Sequence, residues 1–192
     1  MQGHVAAPDW SKIPAPADDG AARRLPGLRV PSIPLAATDG DAVDLSALPG
    51  RAVVYAYPRT SPPGGAGIEG WDAIPGARGC TPQSCAFRDH FAELRALGVS
   101  RLFGLSTQDT AYQREAAERL RLPFPLLSDE RLRLARAMRL PTFEAGGATL
   151  LKRLTLVLRD GLVEHVFYPV FPPDRSAADV AAWLSGEGRP AA

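Results

Sequence analysis

Six consecutive apolar residues, Ala52-Val53-Val54-Tyr55-Ala56-Tyr57, match one strand in length and do not alternate with polar positions. That pattern belongs to a central strand buried on both faces. From Cys80 to Leu97 the period changes: Phe87, Phe91 and Leu94 fall at i, i+4 and i+7, the apolar stripe of a helix, and Gly98 supplies its stop. Arg101 to Ser106 reads as a second strand. Asp109 to Leu122 reads as a second helix, with Tyr112, Ala116 and Leu120 on one side and Pro123 and Pro125 beyond its end. Ser128 is expected to cap a third helix, with Asp129 and Glu130 in the first turn, where acidic groups are favourable. Two hairpins are expected: Ile33 to Val43 around Asp39-Gly40, and Leu154–Leu158 with Leu162–Tyr168 around Arg159-Asp160-Gly161. Ser176 to Leu184 closes the chain as a last helix, and no internal repeat is visible. Strands alternating with helices, closed by a hairpin and a helix, predict an α/β sheet covered on both faces, a pattern that several topologies share.

Two stretches carry no such period. Residues 1–26 are polar and proline-rich, with Pro8, Pro14, Pro16 and Pro26, and read as a loosely ordered arm. Residues 59–79 hold six glycines and three prolines, too many for helix or strand. Loops of this length inside compact domains tend to be functional, and this one leads straight into Cys80, as a lid or wall. The expected organisation is therefore an arm at 1–26, one domain at 27–186 and a tail at 187–192.

At 192 residues with 45% hydrophobic content, the chain suits a single full core. The net charge of +1, with only Lys12 and Lys152 as lysines, leaves no basic patch with interleaved aromatics, so no nucleic-acid partner is expected. No stretch approaches a membrane span, and Met1 to Trp10 lacks the basic start and apolar run of a secretory signal. Two cysteines fit a reducing cytoplasm better than a disulfide scaffold.

Those two are Cys80 and Cys85, at the start of the first predicted helix. A helix N-terminus favours a thiolate, the reactive form. At about 100° per residue, Cys80 falls on the core-facing stripe and Cys85 nearly opposite. On an intact helix their Cα atoms lie roughly 8–9 Å apart, beyond the roughly 7 Å reach of a disulfide. His90 projects in a third direction, so one helix does not aim all three at a metal ion. The plain alternative is two ordinary buried thiols.

The run Cys80-Thr81-Pro82-Gln83-Ser84-Cys85-Ala86-Phe87-Arg88-Asp89 resembles the active-site helix of the Q-type (bacterioferritin-comigratory-type) peroxiredoxins. A looser likeness extends from about Gly27 to about Leu184. The resemblance implies a thioredoxin-like fold, a central mixed sheet with helices on both faces, and a thiol-dependent peroxidase acting on hydrogen peroxide and organic hydroperoxides without a cofactor. Cys80 would be the peroxidatic thiol and Cys85 the resolving one, joined as an intramolecular disulfide once the first turn unwinds and recycled by thioredoxin or a similar dithiol. Arg153, two residues before Thr155, matches the family's arginine against the reactive sulfur. Gly79 would offer a backbone donor to peroxide, Gln83 matches the Q-type pattern, and Arg88 would brace the first turn. The chain departs from the family at Ala77, where a threonine usually orients sulfur and peroxide; Thr60, displaced by the insertion, and Thr81 are the candidate replacements. Trp71, with Ile68 and Ile74, is a packing anchor or an apolar entrance. A monomer or a homodimer fits the resemblance.

Two other functions stay open. A thioredoxin-type disulfide oxidoreductase usually carries Cys-x-x-Cys, and a proline before the facing strand where this chain has Arg153. A redox-sensing binding module fits the missing hydroxyl at Ala77 and the glycine-rich insertion.

Overall fold

A computed structural model describes residues 8–186; the predicted 187–192 tail and the first seven residues of the predicted arm lie outside the described residues. Among the described residues nine strands and five α-helices follow in chain order. The apolar run at 52–57 supplies β3 (Arg51–Ala56), an interior strand of a seven-stranded sheet ordered β2-β1-β5-β4-β3-β8-β9. Here β1 is Pro34–Ala37, β2 Ala42–Asp44, β4 Val99–Ser106, β5 Leu126–Ser128, β8 Leu154–Arg159 and β9 Leu162–Phe167. β3 runs parallel to β4 and antiparallel to β8, with Val54 opposite Phe103 on one side and Leu156 on the other.

The missing alternation in this run reflects two cores rather than one. Successive side chains of a strand point to opposite faces. Val54 and Ala56 join Leu156, Leu158, Phe103 and Leu105 on one face. Val53, Tyr55 and Tyr57 join Val157, Phe87, Leu94 and Cys80 on the other. The second face is covered by α1 (Cys80–Asp89), α2 (Phe91–Ala96) and α5 (Ser176–Ser185). The first is covered partly by α4 (Arg133–Met138). This is the thioredoxin-like mixed sheet that the resemblance implied.

Local departures from the sequence reading have simple causes. The helix expected over 80–97 breaks at His90, whose ring nitrogen bonds to the Ala86 carbonyl at 2.9 Å. Ser128 does not cap a helix; it ends β5, and its hydroxyl donates to the Gln108 carbonyl at 2.6 Å. The N-cap position is Leu132, whose side chain accepts nothing; the capping is done from further back by Asp129, 2% exposed, whose carboxylate accepts from the backbone N–H groups of Leu134 and Ala135 at 3.1 and 2.8 Å. β5 itself is only three residues long and sits behind two prolines, too short to show a period. Helix α3 (Thr110–Arg119) buries Ala116 as expected but also Gln113, which donates to the Ser106 hydroxyl and the Leu127 carbonyl, both at 2.8 Å. A second small sheet, β6 (Thr142–Ala145) with β7 (Ala148–Leu151), turns at Gly146-Gly147. Its half-exposed strands gave no clear period.

Residues 8–26, expected as a loose arm, lie along the body as a strap. Ala22 and Leu25 are buried in the core. Trp10 packs edge-on to Phe171 and donates from its indole to Asp174 at 2.8 Å. Lys152 donates to Asp19 at 2.7 Å.

Candidate active site

Gly79 starts the site. Its φ of +110° is in the region that only glycine enters freely. A Cβ there would stand 2.6 Å from Pro173 and 2.7 Å from Trp10. With the chain turned this way, α1 begins at Cys80 and directs its first side chain into the second core, where Cys80 is 4% exposed. Cys85 emerges on the other side of the helix, half-buried. The wheel geometry is thus borne out: one sulfur inward, one outward. Both thiols are free.

Arg153 enters from the start of β8. The strand alternation places Thr155 and Val157 on the α1 side of the sheet, and the arginine reaches the same side from just before the strand. It is 3% exposed. Its Nη2 donates toward the Cys80 sulfur at 3.3 Å and toward the carbonyls of Gly76, Ala77 and Arg78 at 3.4, 3.2 and 3.3 Å. Its Nη1 donates to the Gln83 amide oxygen. Gln83 in turn donates to the Ser176 hydroxyl at 3.3 Å, and Ser176 meets the Thr155 hydroxyl at 3.3 Å. α1, β8 and α5 are thereby tied together around one guanidinium.

The electrostatics follow. A buried cation is costly unless it is paired, yet no carboxylate pairs with Arg153 among the described residues. Its charge is met by carbonyl oxygens, one amide oxygen and the Cys80 sulfur. The first N–H groups of α1 add positive potential at the same point. Burial raises the pKa of the Cys85 thiol, with the nearby Arg88 opposing the shift.

The remaining predicted residues divide. Gln83 is 0% exposed and holds Arg153, a stronger position than a helix-surface glutamine. Arg88 stays away from Cys80; it donates to the Leu120 carbonyl at 2.9 Å and to Asp89 at 2.8 Å, bracing α1 against the end of α3. Thr60 makes no hydrogen bond to the Cys80 sulfur among the described residues; its partner is Gln108. Its N–H donates to the Gln108 side-chain oxygen at 2.9 Å, and Gln108 returns a bond to the Thr60 carbonyl at 3.0 Å. Thr81 makes no hydrogen bond to Cys80 among the described residues. Ala77 is fully buried, and its carbonyl faces both Arg153 and the Cys80 thiol, the latter at 3.7 Å.

Sequence reasoning missed Ser176, Trp10 and Pro173. Ser176 opens a helix far along the chain, and nothing in the sequence marks its contact. The 59–79 loop rests on the β6–β7 hairpin: Trp71 meets Phe143 with ring centroids 6.2 Å apart, and Ile68 lies against Gly146. Among the described residues no group of three or more His, Cys, Asp or Glu is placed to hold a metal ion.

With this geometry in place, residues 22–183 match the Redoxin family. The chain belongs to that family. Its relatives include the chloroplastic peroxiredoxin Q of Oryza sativa subsp. japonica, 34% identical over 151 residues, which cover 78% of this chain and 61% of the relative. The chloroplastic peroxiredoxin Q of Sedum lineare is 32% identical over 78% of this chain and 72% of its own length. The matched region thus spans about 61% of the rice protein's length. Among solved structures, peroxidoxin BcpB of Mycobacterium tuberculosis superposes with a TM-score of 0.66 at 28% identity, covering 86% of this chain and 98% of that one. The bacterioferritin comigratory protein of Xanthomonas campestris shares the fold, with a TM-score of 0.65 at 23% identity. Within the family this chain resembles the Q-type members, through the Cys80–Asp89 run whose first sulfur Arg153 meets from the start of β8.

Proposed function

We propose that the protein is a thiol peroxidase of the atypical two-cysteine kind, reducing hydrogen peroxide and organic hydroperoxides. The observation that carries this reading is the buried Arg153 guanidinium, which has no carboxylate partner among the described residues and stands 3.3 Å from the Cys80 sulfur. A sulfur anion completes its neutralisation, and the same N–H groups suit the oxygens of a peroxide.

The chemistry balances as follows. The Cys80 thiolate attacks the terminal peroxide oxygen, the O–O bond breaks, and the leaving oxygen takes a proton to depart as water or an alcohol. Sulfur loses two electrons and becomes sulfenic acid. The first turn of α1 unwinds, the Cys85 sulfur attacks Cys80, an S–S bond forms and water leaves. An external dithiol, thioredoxin or a similar one, then reduces the disulfide by exchange. A reducing compartment such as the cytoplasm keeps that dithiol supplied.

The test is to mix reduced protein with one equivalent of hydrogen peroxide, alkylate within seconds and weigh the intact chain. Loss of two hydrogens with both thiols blocked supports the reading; Cys85→Ser should leave a sulfenic acid and no internal cross-link. Two alkylated thiols after long exposure would sink it and return the chain to a redox-sensing or binding role.

A further inference from the structure

The two halves of the strap are held in different ways. The inner half is anchored in the body of the fold. Ala22 and Leu25 are buried in the first core, and the Arg24 guanidinium donates to the Met138 carbonyl at 2.9 Å. Asp19 accepts from Lys152 at 2.7 Å and from the Tyr168 hydroxyl at 2.8 Å. In the outer half, residues 8–17, no residue is buried. Two of its side chains reach the body across glycines. Pro16 lies against Gly76, where a Cβ would stand 3.2 Å from its ring. Trp10 lies against Gly79, where a Cβ would stand 2.7 Å from the indole; the same side chain packs on Phe171 and donates to Asp174.

Gly76 and Gly79 bound the segment that leads into Cys80, and that segment is gripped from both sides. On one side Arg153 Nη2 donates toward the carbonyls of Gly76, Ala77 and Arg78 and toward the Cys80 sulfur. On the other side lie Pro16 and Trp10. A Cys80–Cys85 disulfide requires the first turn of α1 to unwind, because an intact helix holds the pair beyond bonding reach. Unwinding takes the sulfur from Arg153 and displaces Gly79, the seat of Trp10.

We propose that the outer strap is a redox-operated cover, seated while Cys80 and Cys85 are thiols and released over residues 8–17 when their disulfide forms. This rests on the disulfide step of the peroxidase reading above. In that step the two thiols give up two hydrogens, the oxidant takes two electrons, and one S–S bond forms; no bond of the strap is made or broken. Linkage makes the effect reciprocal. A strap that seats on the reduced form alone biases the pair toward thiols, and its departure uncovers the disulfide for the incoming dithiol.

The test uses the full chain labelled with 5-fluorotryptophan, its Trp10 fluorine signal assigned with Trp10→Phe. The disulfide is set with mixtures of oxidised and reduced dithiothreitol, which need no peroxide, and is verified by mass. On oxidation the Trp10 signal should move to its position in urea-unfolded protein and return on reduction, and in Cys85→Ser it should stay in place. In the same mixtures Trp10→Ala should favour the disulfide about tenfold more than the parent chain does, the scale of a lost tryptophan anchor, or about 30 mV for two electrons. A Trp10 signal that stays in place once the disulfide is present, or equal equilibria in the two chains, overturns the cover; a disulfide driven by hydrogen peroxide in that same protein leaves the peroxidase reading intact. Release of Trp10 in the dithiothreitol mixtures, in a protein whose thiols hydrogen peroxide leaves free, keeps the cover and sinks the peroxidase reading.

Discussion

Gly79 and Arg153 each perform a task that no near neighbour in chemistry can share. Alanine at 79 would carry both the strain of φ +110° and a Cβ 2.6 Å from Pro173. Gly79→Ala should therefore destabilise the protein by about 1–3 kcal/mol, read as a lower urea midpoint with unchanged slope. At Arg153, a lysine keeps the charge but has no planar fork to hold Gln83 and the carbonyls of 76–78 together. Arg153→Lys should slow the reaction of Cys80 with hydrogen peroxide about 10²–10³-fold, the usual loss when one electrostatic donor is removed, as measured by stopped-flow. The two cysteines were legible in the sequence because their spacing on one helix is local; Arg153 was named only through the family resemblance, since it lies 73 residues from Cys80. Gln83 was legible as a residue but not in its task, since its partners lie on β8 and α5. Thr60 was misread because the place of its hydroxyl depends on the path of the 59–79 loop, which carries no periodic signal.

At the scale of elements, the start of α1 is the part that must move, and the strap lies on it. Trp10 packs over Gly79 while its indole is tied to Asp174. Trp10→Ala should speed formation of the Cys80–Cys85 disulfide after peroxide addition, because the turn to be unwound loses its cover; equal rates would show that the strap is no restraint. The strap also has a pH limit. Asp19 is held down to about 2, chiefly by its bond with Lys152, then by the Ala21 N–H and the Tyr168 hydroxyl. A carboxyl depressed on folding contributes fully above its ordinary value of 3.8 and loses that contribution as pH falls toward about 2. The Ala21 backbone N–H signal in NMR, whose donor bonds to Asp19 at 3.0 Å, should therefore stay constant down to near pH 4 and shift only below it. Elements with strong periods, β3, β4, β8, β9 and α5, were predicted from the chain within a residue or two. The break at His90 and the cap at Asp129 were not, because a six-residue helix is shaped by its neighbours more than by its own pattern.

For the whole molecule, oxidation exchanges one set of contacts for another. Forming the disulfide takes Cys80 out of the second core and leaves the buried Arg153 without its sulfur partner. The oxidised protein should melt below the reduced one, each kcal/mol lost appearing as roughly 2–4 °C. Trypsin should then cut first near Arg78 and Arg88, on either side of the unwound turn, and Cys85→Ser should show neither change on brief treatment with peroxide. The amino-acid sequence alone determined the α/β class, the central strand, the position of the reactive helix and its two thiols. Those features follow from short-range periodicity and from helix geometry, which act over a few residues. Only the tertiary structure decided that residues 8–26 form a strap and that Gln83, Ser176 and Thr155 brace Arg153. These features depend on meetings such as Trp10 with Asp174 and Gln83 with Arg153 and Ser176, 70 or more residues apart, and such meetings are set by how the layers pack, a quantity no local pattern encodes.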